Sequence, residues 1–513
     1  MCSQTCVFAV RDKPARTENA PRWEVPRQRH SLLATLLVSL CTLSLAALSL
    51  LSVDKAMKWT AYNAFYDLDQ VRENRFQVWR NPPAGAGDRP FMWGMAEENA
   101  PRGGEERVVE DWLSYYPDLG VDLVRVFTGW IYHQPAGRHT SLDPGYHVHH
   151  HLRAFQEAGL GIQAVVYQNP RWGASHDWGA SLAPKHVYAY SPPIAHDDFA
   201  GPYADYLALL HAAFPAVRVW QIWNEPDYPR ASPQTEWNPL VDNRTWRGTA
   251  RQYGELVGAS ATRLRALSPH GIISTGGVSD PSYLAHLLKA PEAATADVYD
   301  VHFAAGLGRP NVDWELDKLL ALVAEHKRVL TRAGVKKQHF SVSELSFAYN
   351  DDFPDEQAGF LAKVYAIGKA LGWDSLTWWG LSPYDPVYYR DTGLVHHVGV
   401  QPRPAEAAAS AAFPSAVRPA YLAYRFSSEL LKPLLALGTD GDGEDVRIVK
   451  FARPEDGGAV WLSWTLRSEG HTLTWPAARR PAAVFDIYGK QTGTLAPGDS
   501  VLLSSEAVYL VEE

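Results

Sequence analysis

From Phe91 onward, short runs of apolar residues alternate with longer segments whose apolar residues recur every three or four positions, as in 245–267 and 311–334. The runs are typical of buried strands and the segments of amphipathic helices, so the alternation predicts parallel strands joined by crossover helices. Eight such units favour an α/β fold of the (β/α)8 TIM barrel type. The alternative is a doubly wound open sheet, but no glycine-rich fingerprint follows the first run. The eight apolar runs begin at residues 91, 121, 161, 217, 271, 297, 339 and 375.

The pattern changes near the end of the chain. The segment 418–432 predicts the eighth barrel helix, and beyond Leu437 short alternating runs are separated by Gly, Pro and Asp. Such runs are typical of an antiparallel β-domain. We therefore expect a (β/α)8 barrel over 89–435 and a β-sandwich over 436–513.

Residues 31–53 form an uncharged apolar run that is long enough to cross a bilayer as a helix. The basic residues before it place 1–30 in the cytoplasm by the positive-inside rule, and the rest of the chain in the periplasm or outside the cell. A cleaved signal peptide is the alternative, although the long leader and the Leu-Leu-Ser-Val ending favour an uncleaved single-pass anchor. Residues 54–88 then form a juxtamembrane segment.

Composition narrows the function. The chain has 48 Lys and Arg against 57 Asp and Glu, a net charge of −9, which argues against a nucleic-acid partner. The three cysteines, Cys2, Cys6 and Cys41, exclude a disulfide framework and a cysteine-based zinc site from the rest of the chain. The histidines of HVHHH (147–151) are compositional evidence only, so we expect no metal there. Neither do we expect one at His396 and His397.

Two glutamates end predicted strands on opposite sides of the barrel. Glu225 ends the fourth strand and Glu344 the seventh, and in a barrel the functional groups lie at these strand ends. Two facing carboxylates are what glycosidic bond cleavage requires. Asn224 can bind a substrate hydroxyl, and Trp223 is expected to form an aromatic wall.

The tetrapeptide WNEP at the fourth strand end, together with a glutamate ending the seventh, resembles the retaining glycoside hydrolases of clan A. The longer match QIWNEPD resembles family thirty-nine, which includes β-xylosidases, α-iduronidases and endoglycosidases of biofilm exopolysaccharide. The resemblance extends over 91–513, since RPAYLAYR resembles the last barrel helix of that family and SSEAVYLVE its closing strand.

The resemblance implies a role for each matching residue. Glu225 corresponds to the acid/base, Glu344 to the nucleophile, and Asn224 to the partner of the sugar 2-hydroxyl. Arg125 corresponds to an arginine near the nucleophile, where a cation would keep Glu344 ionised with a low pKa. A structural ion pair inside the barrel is the alternative for Arg125.

His302 corresponds to the sixth-strand histidine of the family, but Phe303 and Ala304 follow it where the family often has an aromatic hydroxyl. The group that orients the nucleophile must then be His302 itself or another residue. Trp379 corresponds to the aromatic platform under the reactive sugar, whereas Trp378 should face the helices. Four tryptophans of the strand-end loops could stack on sugar or pack within their own loops. They are Trp130, Trp172, Trp178 and Trp237.

We therefore expect a membrane-anchored retaining glycosidase that acts on a polysaccharide or oligosaccharide, with no metal, nucleotide or flavin. Trimming of an exopolysaccharide is one such role. Two alternatives stay open. One is a non-catalytic carbohydrate-binding or assembly protein on the same scaffold, and the other is a transglycosylase. The sugar, the choice between endo and exo action and the oligomeric state stay open as well.

Overall fold

The described residues of the computed structural model cover the barrel strands, the helices around them and the C-terminal β-domain. The predicted anchor at 31–53, with its flanking segments 1–30 and 54–88, lies outside the described residues. Within the described part of the chain, no helix is both long and apolar enough to cross a membrane. The described residues are 90–97, 107–174, 189–190, 192–195, 198–199, 201–227, 245–305, 311–336, 338–350, 352–381, 392–395, 417–441 and 445–513.

Eight parallel strands close into a barrel, and each overlaps the run that predicted it. The last strand pairs with the first in the register Met92–Ser375, so the sheet has no open edge and the doubly wound alternative is wrong. The strands are β1 (Met92–Glu97), β2 (Leu123–Gly129), β3 (Gly161–Tyr167), β4 (Val217–Ile222), β5 (Ile272–Ser274), β6 (Val298–Ala305), β7 (His339–Phe347) and β8 (Ser375–Trp379).

At least one described helix follows each strand. The segments predicted at 245–267 and 311–334 are helical from Ala250 to Leu267 and from Val312 to Arg332. The start of the first of these helices is capped, because the Thr249 side chain accepts from the backbone N–H of Gln252 in a reciprocal capping box. The helices are α1 (Arg107–Leu119), α2 (Trp130–His133), α3 (His147–Glu157), α4 (Gly201–Ala213), α5 (Ala250–Leu267), α6 (Pro281–Leu287), α7 (Val312–Arg332), α8 (Pro354–Ala370) and α9 (Pro419–Leu431).

The barrel interior is polar, while apolar side chains fill the layer between strands and helices. Arg125, Gln163, Gln221, Asp300 and Ser343 are all buried. Arg125 and Gln163 both donate to Gln221, and Ser343 donates to Asp300. Side chains two positions apart on a strand lie on the same face. The next inward-facing residues along these strands therefore lie at the C-terminal strand ends. This polar interior supports the site at the C-terminal end of the barrel.

The C-terminal β-domain contains a six-stranded antiparallel sheet and a two-stranded antiparallel ribbon, β12 with β15. Leu503 of the ribbon shares an apolar core with Trp461, Trp475 and Leu510, so the predicted sandwich has two very unequal layers. The strands are β9 (Leu435–Asp440), β10 (Val446–Ala452), β11 (Ala459–Thr465), β12 (His471–Thr474), β13 (Ala482–Phe485), β14 (Gln491–Leu495), β15 (Ser500–Leu503) and β16 (Val508–Glu512).

Candidate active site

The chain turns sharply after β4 and presents Glu225 at the strand end. Trp223 and Glu225 both have positive φ, 69° and 45°, a region that residues other than glycine rarely adopt. The turn is held because Trp223 N–H donates to the Val166 carbonyl at 2.9 Å and Glu225 N–H donates to the Gly276 carbonyl at 2.6 Å. Backbone strain that is fixed in this way is typical of functional sites.

Glu225 and Glu344 face each other across the mouth of the barrel. One oxygen of each carboxylate and a ring nitrogen of His302 all lie within 4.8 Å of one another. Glu344 is nearly buried, whereas the Glu225 side chain is 28% exposed. Glu225 is thus the carboxyl that solvent and a leaving group can reach more easily.

Arg125 of β2 contacts Glu344 and Asn224, the residue that precedes Glu225. Its Nη1 lies 2.7 Å from Glu344 Oε1, its Nη2 donates to Asn224 Oδ1 at 2.8 Å, and its Nε donates to Gln221 Oε1 at 2.8 Å. The guanidinium is fully buried, so its charge acts on Glu344 with little screening by solvent. Arg125 therefore lies beside Glu344 as predicted, and it also fixes the amide of Asn224.

His302 of β6 bridges the two carboxylates. Its Nδ1 lies 2.8 Å from Glu225 Oε1 and 3.2 Å from Glu344 Oε2. The ring fits here because residue 277 is glycine: with φ of 72°, a Cβ at that position would lie 2.1 Å from His302 Nε2. Of the two possibilities left by the missing aromatic hydroxyl, the geometry supports contact by His302 itself.

Ser343 and Asp300 lie behind His302, and the sequence analysis missed both. Ser343 Oγ is 3.2 Å from His302 Nε2 and donates to Asp300 Oδ2. Burial raises the pKa of Asp300, while the nearby His302, the Ser343 hydroxyl and Arg125 act in the opposite direction. Strand alternation was an available signal for Asp300, which is two residues from His302. It was no signal for Ser343, which directly precedes Glu344 and lies where the register of β6 against β7 shifts.

Asp227 is a third residue of the site that the sequence motifs did not identify. Its Oδ2 accepts the backbone N–H groups of Ser279 and Asp280 at 2.8 and 2.7 Å, which ties the turn after β4 to the start of α6. Burial is the main cause that raises the pKa of Asp227 to about 7, and the negative charge of Glu225 adds to the rise.

Trp379 ends β8 and is half-buried. It pairs with Ala96, which pairs with Arg125, and paired residues of parallel strands face the same side, so Trp379 faces the interior as predicted. Trp378 is fully buried and donates to the Thr392 carbonyl.

The loop tryptophans divide into two groups. Trp172 is half-buried and donates to the Gln134 carbonyl at 3.1 Å, so part of its surface faces solvent. Trp130 is fully buried against Tyr206, so it packs within the protein and offers no sugar surface. The expectation that Trp223 forms an aromatic wall is also wrong, because its ring is buried against that of Trp246. Trp178, Trp237, His396 and His397 lie outside the described residues.

The described residues contain one set of side chains that could together hold a metal ion, namely Glu225, His302 and Glu344. The Arg125 guanidinium already supplies a positive charge 2.7 Å from Glu344, which disfavours a second cation there. The histidines of 147–151 lie on α3 and are not part of that set.

No family model and no curated protein matches the chain. Solved structures do resemble it. A family 39 glycoside hydrolase from Bacteroides cellulosilyticus aligns with a TM-score of 0.58 at 18% identity, over 83% of this chain and 81% of that one. A glucosidase from Croceicoccus marinus aligns with a TM-score of 0.54 at 14% identity, over 84% of this chain and 97% of that one. A GH39 β-xylosidase from Caulobacter crescentus aligns with a TM-score of 0.51 at 14% identity, over 84% of this chain and 98% of that one.

The neighbours thus include glycoside hydrolases of family 39, as the sequence motifs predicted. At these identities the likeness shows a common fold: a (β/α)8 barrel followed by a small β-domain. The chemistry must be argued from the site itself.

Proposed function

We propose that this protein is a retaining glycoside hydrolase. The observation that carries the proposal is the short separation of the two carboxylates, whose nearest oxygens lie within 4.8 Å. Retaining glycosidases hold their carboxyl groups about 5–5.5 Å apart, whereas inverting enzymes need about 6.5–9.5 Å to admit a water molecule between carboxylate and sugar. The proximity of Glu225 and Glu344 favours direct attack on the sugar.

In the proposed reaction, Glu344 is the nucleophile and Glu225 the acid/base. Glu225 donates its proton to the leaving oxygen while Glu344 attacks the anomeric carbon, which gives a glycosyl-enzyme intermediate. Glu225 then accepts a proton from the water that releases the sugar. The contact of Glu344 with Arg125 supports this division, because it favours an ionised nucleophile. The greater exposure of Glu225 suits a group that meets leaving groups and water.

The proposed substrate is a polysaccharide or oligosaccharide. Three side chains could contact it: Asn224, whose amide Arg125 holds in place, and the half-buried indoles of Trp379 and Trp172. Aromatic faces stack on sugar rings, and an oriented amide can bind the 2-hydroxyl in the transition state. Exopolysaccharide is a candidate within this class.

The test uses the full chain, a panel of aryl glycosides and bacterial exopolysaccharides, with the anomeric configuration of the product followed by NMR. We expect retention of configuration. Glu344→Gln and Glu225→Gln should each lower kcat for glycosides with poor leaving groups by about 10²-fold or more. Glu255→Gln, on the outer helix α5, is the matched control and should behave as wild type.

The other outcomes separate the alternatives. Inverted product, or normal turnover by Glu344→Gln, would contradict the proposal. Saturable sugar binding without product would instead support the non-catalytic scaffold, and transfer of the sugar to a second sugar would identify a transglycosylase.

We also propose that residues 31–53 anchor the protein in the membrane with the barrel on the outer side, in the periplasm or outside the cell. The support is the length and the lack of charge of this run and the basic residues before it. Carbonate extraction and protease treatment of spheroplasts test both parts. Release of a shortened chain into solution would show cleavage of a signal peptide instead.

A further inference from the structure

A row of hydrogen bonds leads away from the two carboxylates into the barrel. From Glu225 Oε1 it passes to His302 Nδ1 (2.8 Å), then from His302 Nε2 to Ser343 Oγ (3.2 Å), and finally to Asp300 Oδ2. Asp300 and His302 lie two residues apart on β6, and Ser343 lies on the neighbouring strand β7. All members except Glu225 are nearly or fully buried, which shields the inner part of the row from water.

The hydrogen bonds around Ser343 indicate that Nε2 of His302 carries a hydrogen. Asp300 Oδ1 accepts from the Ser343 backbone N–H at 2.9 Å and the Ser341 hydroxyl at 2.8 Å, so Oδ2 is left for the Ser343 hydroxyl. The other oxygen near Ser343, Gln221 Oε1, already accepts two hydrogen bonds of 2.8 Å. The one hydroxyl proton of Ser343 therefore points to Asp300. Its oxygen offers a lone pair to His302 Nε2, which must carry a hydrogen to complete the contact.

We propose that Asp300 and Ser343 are positioning residues that keep a proton on Nε2 of His302, so that Nδ1 is the atom that shares a proton with Glu225. This inference rests on the proposed function, in which Glu225 is the acid/base. In a neutral ring with hydrogen on Nε2, Nδ1 is an acceptor, and a carboxylic acid at Glu225 can donate to it. The proton stays on Oε1 of Glu225, in a hydrogen bond to Nδ1 of His302, until Glu225 donates it to the leaving oxygen.

Three carboxyl groups face the ring of His302. They are Glu225 from the turn after β4, Glu344 from β7 at 3.2 Å, and Asp300 from β6 at 3.9 Å. Arg125 acts on the ring through Glu344. The loop before α6 presents uncharged Gly277.

Asp300→Asn distinguishes a positioning role from a merely structural one. Since Oδ1 accepts two donors, the amide oxygen takes that place, and the NH2 group faces Ser343. The Ser343 hydroxyl must then turn to His302 Nε2, which moves the ring proton to Nδ1. A donor at Nδ1 stabilises ionised Glu225 and removes its acid proton. In serine proteases, an Asp→Asn change beside the catalytic histidine likewise lowers activity because the histidine adopts the wrong tautomer.

The kinetic test compares kcat/KM for two aryl glycosides of the sugar that the full-length wild type hydrolyses, one with a 2,4-dinitrophenyl and one with a phenyl leaving group. Asp300→Asn and Ser343→Ala should lower the value for the phenyl glycoside by about 10²-fold or more and leave that for the dinitrophenyl glycoside within about threefold. The basic limb of the pH profile should move to lower pH in Asp300→Asn. Ser260→Ala, at a buried serine of the outer helix α5, is the matched control and should change neither value. Equal losses on both glycosides would overturn the inference.

A second measurement does not need turnover. In the full chain labelled with [15N]histidine, the signals lost in His302→Gln identify this ring. We expect hydrogen on Nε2 in the wild type and on Nδ1 in Asp300→Asn. A neutral wild-type ring with hydrogen on Nδ1, or an unchanged ring in Asp300→Asn, would overturn the inference whatever the activity. A protein that hydrolyses no glycoside but shows the expected tautomers would contradict the proposed function and leave the proton assignment standing.

Discussion

His302 can bridge the two carboxylates only because Gly277 leaves room for its ring. A Cβ at residue 277 would lie 2.1 Å from Nε2, and the φ of 72° disfavours any L side chain. We expect Gly277→Ala to displace His302 from Glu225 and Glu344 and so to lower kcat/KM. It should also destabilise the fold by about 1–2 kcal/mol through backbone strain. Enzyme kinetics and urea unfolding measure the two effects.

Gly359→Ala is the matched control for this substitution. Gly359 lies in α8, and a Cβ there would meet no atom within 4 Å. The alanine should raise stability by about 0.5–1 kcal/mol and leave kcat/KM unchanged. If Gly277→Ala retained full activity, the dependence of the site on this glycine would be refuted.

Asp227 should give the protein a measurable dependence of stability on pH. Its pKa is raised from 3.8 to about 7 by burial, so between those values the folded chain holds a proton that the unfolded chain has lost. The free energy of unfolding therefore falls as the pH rises from 4 to 7, by about 1.4 kcal/mol for each unit of pKa difference. Asp227→Asn cannot titrate, and its stability relative to wild type should increase over this range. Urea unfolding at pH 4.5 and pH 8 gives the difference, and a constant difference would contradict the assignment.

The sequence located Glu225, Glu344 and Asn224 because strand ends in a barrel converge on one face, and it located Arg125 and His302 through the resemblance to family thirty-nine. It did not reveal the residues behind them. Ser343 and Asp300 are ordinary polar residues within apolar runs, and their importance depends on the register of β6 against β7, in which His302 pairs with Glu344. Register across strands is a tertiary property that a single sequence does not specify.

The same distinction applies to the strands and helices. The eight barrel strands were predictable because both their faces are buried, so they form predominantly apolar runs with few polar residues. Strands β9 and β14 were missed, since the sequences LALGTD and QTGTL are mostly exposed and contain glycine. The helix α2 has only four residues, too few for a helical period to show. Exposed or very short elements are fixed by their neighbours, and their own pattern carries little information.

His149 of α3 packs against His133 of α2, and the burial of His133 should make the region sensitive to acid. Burial, together with His149 and His147, lowers the pKa of His133 from 6.5 to about 3. The unfolded chain therefore binds a proton at this residue below pH 6.5 that the folded chain does not, so stability is lost as the pH falls from 6.5 towards 3.

His133→Phe should remove this contribution. We expect a smaller drop in the urea midpoint between pH 7 and pH 4 for the variant than for wild type. His286→Phe, an exposed histidine on α6, is the control and should keep the wild-type drop. An identical drop in all three proteins would show that His133 does not titrate as its burial implies.

The barrel and the β-domain are joined by buried charges. Arg447 of β10 is fully buried and donates to both carboxylate oxygens of Asp317 on α7, at 2.7 and 3.0 Å. Beside it, Lys363 of α8 lies 3.0 Å from Asp313, which also accepts from the Trp464 indole at 2.8 Å. Burial lowers the pKa of Lys363, and Asp313 opposes that change. Such contacts make the β-domain a structural support for helices α7 and α8, which follow the strands that carry His302 and Glu344.

Arg447→Ala should therefore affect the whole molecule. It removes the guanidinium that neutralises the buried Asp317 carboxylate, which costs about 3–5 kcal/mol, whereas replacing both members by apolar residues is often close to neutral. Full-chain urea unfolding should show a large loss for Arg447→Ala and a much smaller one for the pair Arg447→Met with Asp317→Leu. Arg453→Ala, which breaks an exposed ion pair with Asp456, should change little. Equal losses in the single and double variants would mean that shape at this interface, and not the unpaired charge, determines its stability.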